Sequence, residues 1–534
     1  MEPDNQFSTT SGYHDSYWTD SSAGLAVGSL NSSMETDVVI VGGGIAGVSV
    51  AYALAKAGLK VILLEDGKIG SGESGRTTAH LVNAIDDRYT EIEKTWGRDV
   101  SKLVAESHTA AIDFIEDAIR NEGIACDFQR VDGYLFLHPS DRIKTLRDEF
   151  EASRNAGLNT ELLPEIPGMS HREGMALRFP NQARFHPMKY LTSLAQAVID
   201  LGGQIFQYTH VTEVDKTGVE VNGLKVSAKH VVVATNSPIN NRVTMHTKQF
   251  AYRTYVLAAE VPKGSVPDAL WWDTGNVDAK WVTKPYHYVR IHPFNDTSDL
   301  LIIGGEDHKT GQADAEEIKE EERYDLLEQW TRDRFPMITN IAYTWSGQVL
   351  EPVDMLAFIG RNPGDENIYI VTGDSGNGMT HGTIAAMLIR DLINGVGNPW
   401  EKIYDPSRIT LSTGIDYLRE VGNMTSQYAD FVTPGDIDSL NLLSREEGAI
   451  IRSGLKKVAV YKDENNVIHA FSAVCPHLGC YVHWNADEKS FDCPCHGSRF
   501  SCEGKVINGP ALTDLTPLSM EKMNRLVGRE DDNR

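Results

Sequence analysis

Cysteine is scarce in this chain: six in 534 residues. Four of them fall in two short blocks, CPHLGC from Cys475 and CPCHGS from Cys493, each with a histidine inside it. That concentration suggests a metal site, a disulfide, or both. Neither block contains a CxxC knuckle, which argues against structural zinc, and a purely disulfide framework has no need of two histidines. Positive charge is also in deficit. Fifty Lys and Arg stand against 75 Asp and Glu, a formal net charge of −25, which argues against a nucleic-acid or anionic-membrane partner. No run of about eighteen apolar residues occurs, so no transmembrane segment is expected. Residues 1–34 open with acids where an export signal carries basic residues, and AGLAVGSL is too short for its apolar core. They read as a mostly flexible arm, with Tyr17 and Trp18 as residues that dock on the body, and the expected location is cytoplasmic.

What is present is organised in blocks. A chain of this length is too long for one core and predicts at least two domains. In TDVVIVGGGIAGVSVAYALAKAGLKVILLED, Val38 to Val41 read as a buried strand, followed by Gly42-x-Gly44-x-x-Gly47, a helix to about Ala57, and a second strand ending at Glu65. Gly42 permits the tight turn, Gly44 lets backbone approach a pyrophosphate, and Gly47 lets helix pack on strand. Ile45 and Ala46 open the helix whose N-terminus faces the phosphates, and Glu65 suits ribose hydroxyls. Strand, glycines, helix, strand and acid fall in the order a dinucleotide site requires. A second such fingerprint is lacking, so a pyridine-nucleotide site is not indicated.

Three later stretches narrow the dinucleotide. They are GKIGSGESGRTTAHLV (67–82), AKHVVVATNSP (228–238) and ENIYIVTGDSGNGMTHGTIAAMLIRDLI (366–393). With SGQVLEPVDMLAFIGRNPG (346–364), they make residues 35–410 resemble the FAD-dependent D-amino-acid oxidase and glycine oxidase family. The resemblance implies FAD, held by an α/β Rossmann-type, glutathione-reductase-like domain with an α+β substrate lobe. It implies further FAD contacts from Ser74, Thr77, Thr78, Val211, Ala234 and Thr235. It also places Gly373, Gly378, Met379 and Thr380 at a helix N-terminus near the flavin ring, where negative charge is stabilised. Asp374 departs from the aromatic or aliphatic residue that many members carry after the Thr-Gly. The FAD-binding pieces are expected at about 35–84, 186–244 and 346–410, within an oxidoreductase unit spanning 35–415. The substrate lobe is expected at about 85–185 and 245–345: polar, amphipathic helices over 85–160, then strands suited to an antiparallel sheet over the flavin.

Single residues in that lobe carry competing readings. In amino-acid-oxidising relatives the strand that YHYVRI resembles ends in an arginine that clamps a substrate carboxylate, and Arg290 stands at that place; the alternative is a surface salt bridge. His308, in GGEDHKTG, is either a pocket residue or a polar turn histidine. His80 follows Thr77-Thr78, as does a histidine that binds FAD covalently in some members. The usual tryptophan is missing, which favours noncovalent FAD.

Beyond a linker at 416–435 the pattern changes to short strands with close turns, Asn465-Asn466 among them, and predicts a small all-β domain over 436–530. Cys475-x-His477 and Cys493-x-x-His496 supply two cysteines and two histidines from two loops. That set fits a [2Fe–2S] cluster with cysteines on one iron and histidines on the other. With HGSRF and the later GPA, the segment resembles a Rieske domain. The resemblance implies Cys475, His477, Cys493 and His496 as ligands and a disulfide between Cys480 and Cys495.

The two halves together imply an enzyme with two cofactors, FAD and a Rieske [2Fe–2S] cluster. A small-molecule substrate, an amine or amino acid, would give a hydride to the flavin, and electrons would pass singly through the cluster to an external acceptor. Two alternatives remain: reverse flow from a donor to a flavin-bound substrate or oxygen, and a non-catalytic electron-transfer or redox-sensing module.

Overall fold

The computed structural model describes residues 11–169, 173–240, 245–279, 284–313, 318–409, 422–424, 427, 435–437, 439–453, 456–519, 521 and 523. The sequence's first β-branched run forms the strand Met34–Val41, whose residues from Val38 on are almost wholly buried. It pairs in parallel with Val61–Leu64 on one side and Leu224–Val233 on the other. An eight-stranded sheet grows from this centre. It runs Phe358–Arg361, Ile368–Thr372, Leu224–Val233, Met34–Val41, Val61–Leu64 and Gln204–Phe206, with a short hairpin off its main path. Near-continuous apolar strands are what a parallel sheet covered on both faces demands. The helix Ile45–Lys56 covers one face together with Gly378–Ile393.

A second sheet of nine strands, almost all antiparallel, forms the other lobe. Its order is Asn340–Pro352, Gln249–Pro262, Ser298–Lys309, Tyr288–Pro293, Ala269–Asp273, Gln129–Phe136, Glu173–Arg184 and His80–Leu81, with Glu161–Glu165 beside Glu173–Arg184. The helices Tyr89–Trp96, Arg98–Glu122 and Ile143–Asn155 occupy the stretch that reads as amphipathic. The strand Asn340–Pro352 reaches past 346 into what reads as an FAD piece, so one strand belongs to the nine-stranded sheet and leads into the eight-stranded one.

The small C-terminal unit has a three-stranded sheet (Glu447–Ser453, Lys456–Lys462, Ile468–Ser472) and a four-stranded one (His483–Asn485, Ser490–Asp492, Arg499–Ser501, Val506–Asn508). Most of the linker expected at 416–435 lies outside the described residues.

Two contacts stand out among those that fix this unit on the larger body. Glu488, fully buried, meets Arg253 Nη2 at 2.6 Å and Arg76 Nη1 at 3.1 Å, both from the flavin side, and accepts from the Ser346 hydroxyl. Burial alone would raise its pKa. The guanidiniums of Arg76, Arg253 and Arg499 reverse that and hold the carboxyl well below its ordinary range. The second contact is the segment that reads as a flexible arm, which is packed down from residue 11 onward. The Tyr13 amide donates to Glu488 at 2.5 Å, and Ser11 O accepts from Arg499. Tyr17 and Trp18 are buried, and Trp18 Nε1 donates to Thr77 O at 2.6 Å. Two large aromatics and a short capped helix, Tyr17–Asp20, give the arm enough apolar area to stay bound.

Candidate active site and cluster loops

Two cavities meet between the sheets. The larger, about 740 Å³, is lined by the glycine turn Gly42–Ala46, by Glu65, Ser74 and Val211, and by Ala234 and Thr235. Its floor is shaped by missing side chains. Gly42 has φ +106° and faces Ala234 O, and a Cβ at Gly47 would strike Gly42 O. At the helix start, Ser74 Oγ accepts from the Ile45 amide at 2.9 Å. Glu65 accepts from the amides of Gly43 at 2.6 Å and Gly67 at 2.8 Å. Burial, opposed by those two amides, raises its carboxyl to about 7. An open helix N-terminus, a cradle only glycine permits and a terminal carboxylate fit the pyrophosphate and ribose of a dinucleotide.

The smaller cavity, about 170 Å³, shares Ile45, Glu73, Ser74, Asn236 and Asp374 with the first, so the two are continuous. Thr77, Thr78, His80, Gly378 and Met379 line it. Gly378 and Met379 begin the helix Gly378–Ile393, whose positive end therefore faces the cavity. Gly373 (φ +71°) turns the chain just before, and the Thr380 hydroxyl lies 2.8 Å from His108 Nδ1; neither residue lines a cavity. His80 Nε2 lies 3.2 Å from Val289 O, a carbonyl that can only accept, so this nitrogen carries the proton. Burial and then Arg290 lower His80 to about 3 and keep it neutral.

One side of this cavity is acidic and aromatic. Asp86, Asp307, Glu351 and Asp374 face it with Trp272, Tyr286 and Tyr288. Burial raises Asp307 and Asp374 to about 7, and each keeps one oxygen without a hydrogen-bond partner. Glu351 is raised well above its ordinary range by burial and then by Asp87 and Asp86. Of this group only Asp374 stands out locally; Asp86, Asp307 and Glu351 join it from distant parts of the chain, so no local pattern marks them.

Arg290 does not line either cavity. It is fully buried, donates to the carbonyls of Thr78, Ala79 and Phe185, and lies 5.3 Å from the Trp18 ring. It supports the framework behind the cavity wall. His308 is also outside both cavities: its Nε2 lies 3.1 Å from the Tyr255 hydroxyl and its Nδ1 2.8 Å from Lys309 O.

In the C-terminal unit the two loops converge. Cys480 and Cys495 form a disulfide with Cα atoms 6.5 Å apart. The thiols of Cys475 and Cys493 hydrogen-bond each other, which lowers Cys475. The rings of His477 and His496 have centroids 4.8 Å apart at 87°. His496 Nε2 is buried with no hydrogen-bond partner, and burial, then His477 and His246, lower this ring to about 3. Two adjacent imidazoles and a pair of contacting thiols in converging loops, with the buried His496 Nε2 unsatisfied, suit a mixed cysteine–histidine iron–sulfur centre. The sulfurs of Cys480, Cys493 and Cys495 lie within 4.8 Å of one another, but the disulfide occupies two of them, leaving Cys493 as the free thiol of the three.

This loop touches the flavin side directly. Gln348, which lines the smaller cavity, donates to Gly497 O at 3.1 Å, and Gln312 donates to Pro494 O at 3.1 Å. Gly311 lies so close to the Asp492–Pro494 backbone that a Cβ there would come within 2.9 Å.

A dinucleotide cradle, an antiparallel sheet over it and a helix N-terminus aimed into the shared cavity define a flavin-dependent oxidoreductase, here joined to an iron–sulfur unit. The chain belongs to the FAD dependent oxidoreductase family, which it matches over residues 37–392, and residues 436–519 match the Rieske [2Fe-2S] domain. It is 30% identical over 517 residues to a Bacillus subtilis chain named as a Rieske 2Fe-2S iron-sulfur protein, YhfW, covering 95% of this chain and 98% of that one. It is 28% identical over 381 residues to the gamma-glutamylputrescine oxidoreductase of Escherichia coli, covering 68% and 85%. The fold is similar to that of glycine oxidase from Geobacillus kaustophilus, with a TM-score of 0.59 at 16% identity over 71% of this chain and 100% of the other. FAD and the Rieske cluster are thus its cofactors. No described helix is long and apolar enough to cross a membrane.

Proposed function

We propose that the chain oxidises an amine at a C–N bond and delivers the electrons through the Rieske cluster to an external one-electron acceptor. Bound FAD supplies the two-electron oxidant, and the [2Fe–2S] cluster supplies the one-electron relay. The acidic lining of the smaller cavity carries this reading. Asp307 and Asp374 each offer a buried oxygen without a partner, and the one guanidinium there, Arg76, is engaged by Glu488, Ser346 O and His14 O. Such a lining favours an ammonium and gives a substrate carboxylate no cation beyond the already engaged Arg76. The relative named for gamma-glutamylputrescine supports an amine.

On binding, the ammonium is held by the carboxylates and covered by Trp272, Tyr286 and Tyr288. It must lose a proton before its C–H bond can give up a hydride. Asp307 and Asp374, at about 7, are poised to accept that proton. The amine leaves as an imine, which water converts to a carbonyl compound. The helix N-terminus at Gly378 favours the negative charge that accumulates at this end of the cavity. The hydrogen bond from Gln348 to Gly497, next to His496, joins the cavity wall to the cluster loop and gives electrons a direct connection between the two.

The test is anaerobic mixing with matched panels of amines and α-amino acids, read by bleaching of flavin absorbance. Amines without a carboxylate should bleach it at lower concentration than amino acids. Replacing His496→Ala should leave bleaching intact and abolish reduction of a one-electron acceptor. Preferential bleaching by amino acids, or unimpaired acceptor reduction in that variant, would reject the reading.

A further inference from the structure

The larger cavity is not closed by the flavin domain alone. Its outer side is formed by Lys505–Asp514 of the Rieske domain, with Val506, Asn508, Gly509 and Leu512 among the lining residues. We propose that this Rieske segment is part of the FAD-binding site, forming the outer wall over the ADP half, so that FAD is held between two domains. The inference rests on the reading that the Gly42–Ala46 and Glu65 end of the cavity receives the ADP moiety. The wall is anchored on both sides. Asn508 Nδ2 donates to Glu73 Oε1 at 3.1 Å, and Glu73 Oε2 accepts from the Gln348 amide at 2.8 Å. Gly509 packs on Ser237, where a Cβ would come within 3.2 Å. Lys505 pairs with Asp514 at 2.7 Å, and the Val506 amide donates to the same carboxylate at 3.0 Å, which stiffens the segment. The wall also connects to the cluster loop. The Ala511 amide donates to Ser498 Oγ at 3.0 Å, and the Ser498 side chain hydrogen-bonds Cys475. Leu512 lines the cavity yet is 37% exposed, apolar surface that a bound adenosine would help cover. A ligand gripped from both sides leaves only when one side lifts, so its release rate reports on the docking of the Rieske domain.

Amide hydrogen exchange on the full chain, with FAD bound and after FAD removal, separates the possible outcomes. Bound FAD should slow exchange at Gly42–Gly47 and also at Lys505–Leu512. Slowing at the glycine turn alone would overturn the wall and leave the cavity assignment standing. Slowing at neither would overturn the assignment itself. As a second measurement, the double variant Asn508→Ala with Leu512→Ser should release FAD about tenfold faster while keeping its iron and labile sulfide. Release at the parent rate would count against the wall.

Discussion

Two charged groups, one at the domain interface and one lining the smaller cavity, behave in opposite ways. Glu488 is enclosed by Arg76, Arg253 and Arg499 and stays ionised. Asp307 and Asp374 are less completely enclosed; Asp374 has no charged partner among the described residues and Asp307 faces only His287, which Asp273 and Glu306 already hold, and both rise to about 7. Burial costs each group the same kind of desolvation, so the difference lies in what faces it. The first group is complete as it stands and holds two domains together. The second has no guanidinium to match its carboxyls, which is what the proposed amine site requires.

The largest expected effect comes from breaking the complete group. Glu488→Ala leaves buried Arg76 and Arg253 uncompensated and should cost about 3–5 kcal/mol, seen as a lower unfolding midpoint in denaturant. A midpoint equal to the parent's would mean the cluster of charges does not hold the domains. The next effect is in pH. A carboxyl raised in the folded state binds a proton that the unfolded chain has already lost. Asp307 and Asp374 should therefore make the free protein less stable as pH rises from their ordinary 3.8 to about 7, by at most about 1.4 kcal/mol per unit for each group. Glu488 has the opposite sign: its depressed pKa contributes stability present above its ordinary 4.5 and lost as pH falls below that. A saturating amine should remove the slope between pH 4 and 7 due to the cavity acids, and Asp307→Asn should weaken it; thermal melts across pH check both. The smallest effect is Gln348→Ala, which removes one hydrogen bond to the cluster loop and should cost about 1 kcal/mol. It should slow acceptor reduction without changing flavin bleaching, and stopped-flow absorbance distinguishes those two steps.

The comparison also marks how far the sequence could be read. Strand, glycine turn and helix at 38–57 are local, and so are the paired loops at 475–496, because short-range sterics and ligand spacing are written in consecutive residues. Which residues line the cavity depends on which side of a strand faces in. His308 attracts notice by its type, but side chains alternate along a strand, and it is the adjacent Asp307 that lines the cavity. Arg290 lies two residues after Tyr288, on the same face. Yet one strand repeat further along, the Thr78–Ala79 carbonyls and Trp18 already enclose it. Trp18 comes from a segment whose small and polar residues suggest no core of its own, and its docking depends on a surface built by distant parts of the chain.

That docked segment sets an order of events during synthesis. Tyr13 and its partner Glu488 are 475 positions apart. At about 5–20 residues per second, the partner of Tyr13 emerges on the order of half a minute or more after Tyr13 itself. Until then the flavin domain can fold, but Arg76 and Arg253 have no Glu488 to neutralise them and the arm has only half of its anchorage. The final closure is thus a non-local step that waits for nearly the whole chain, and a ribosome stalled before residue 488 would display a body with its strap undone.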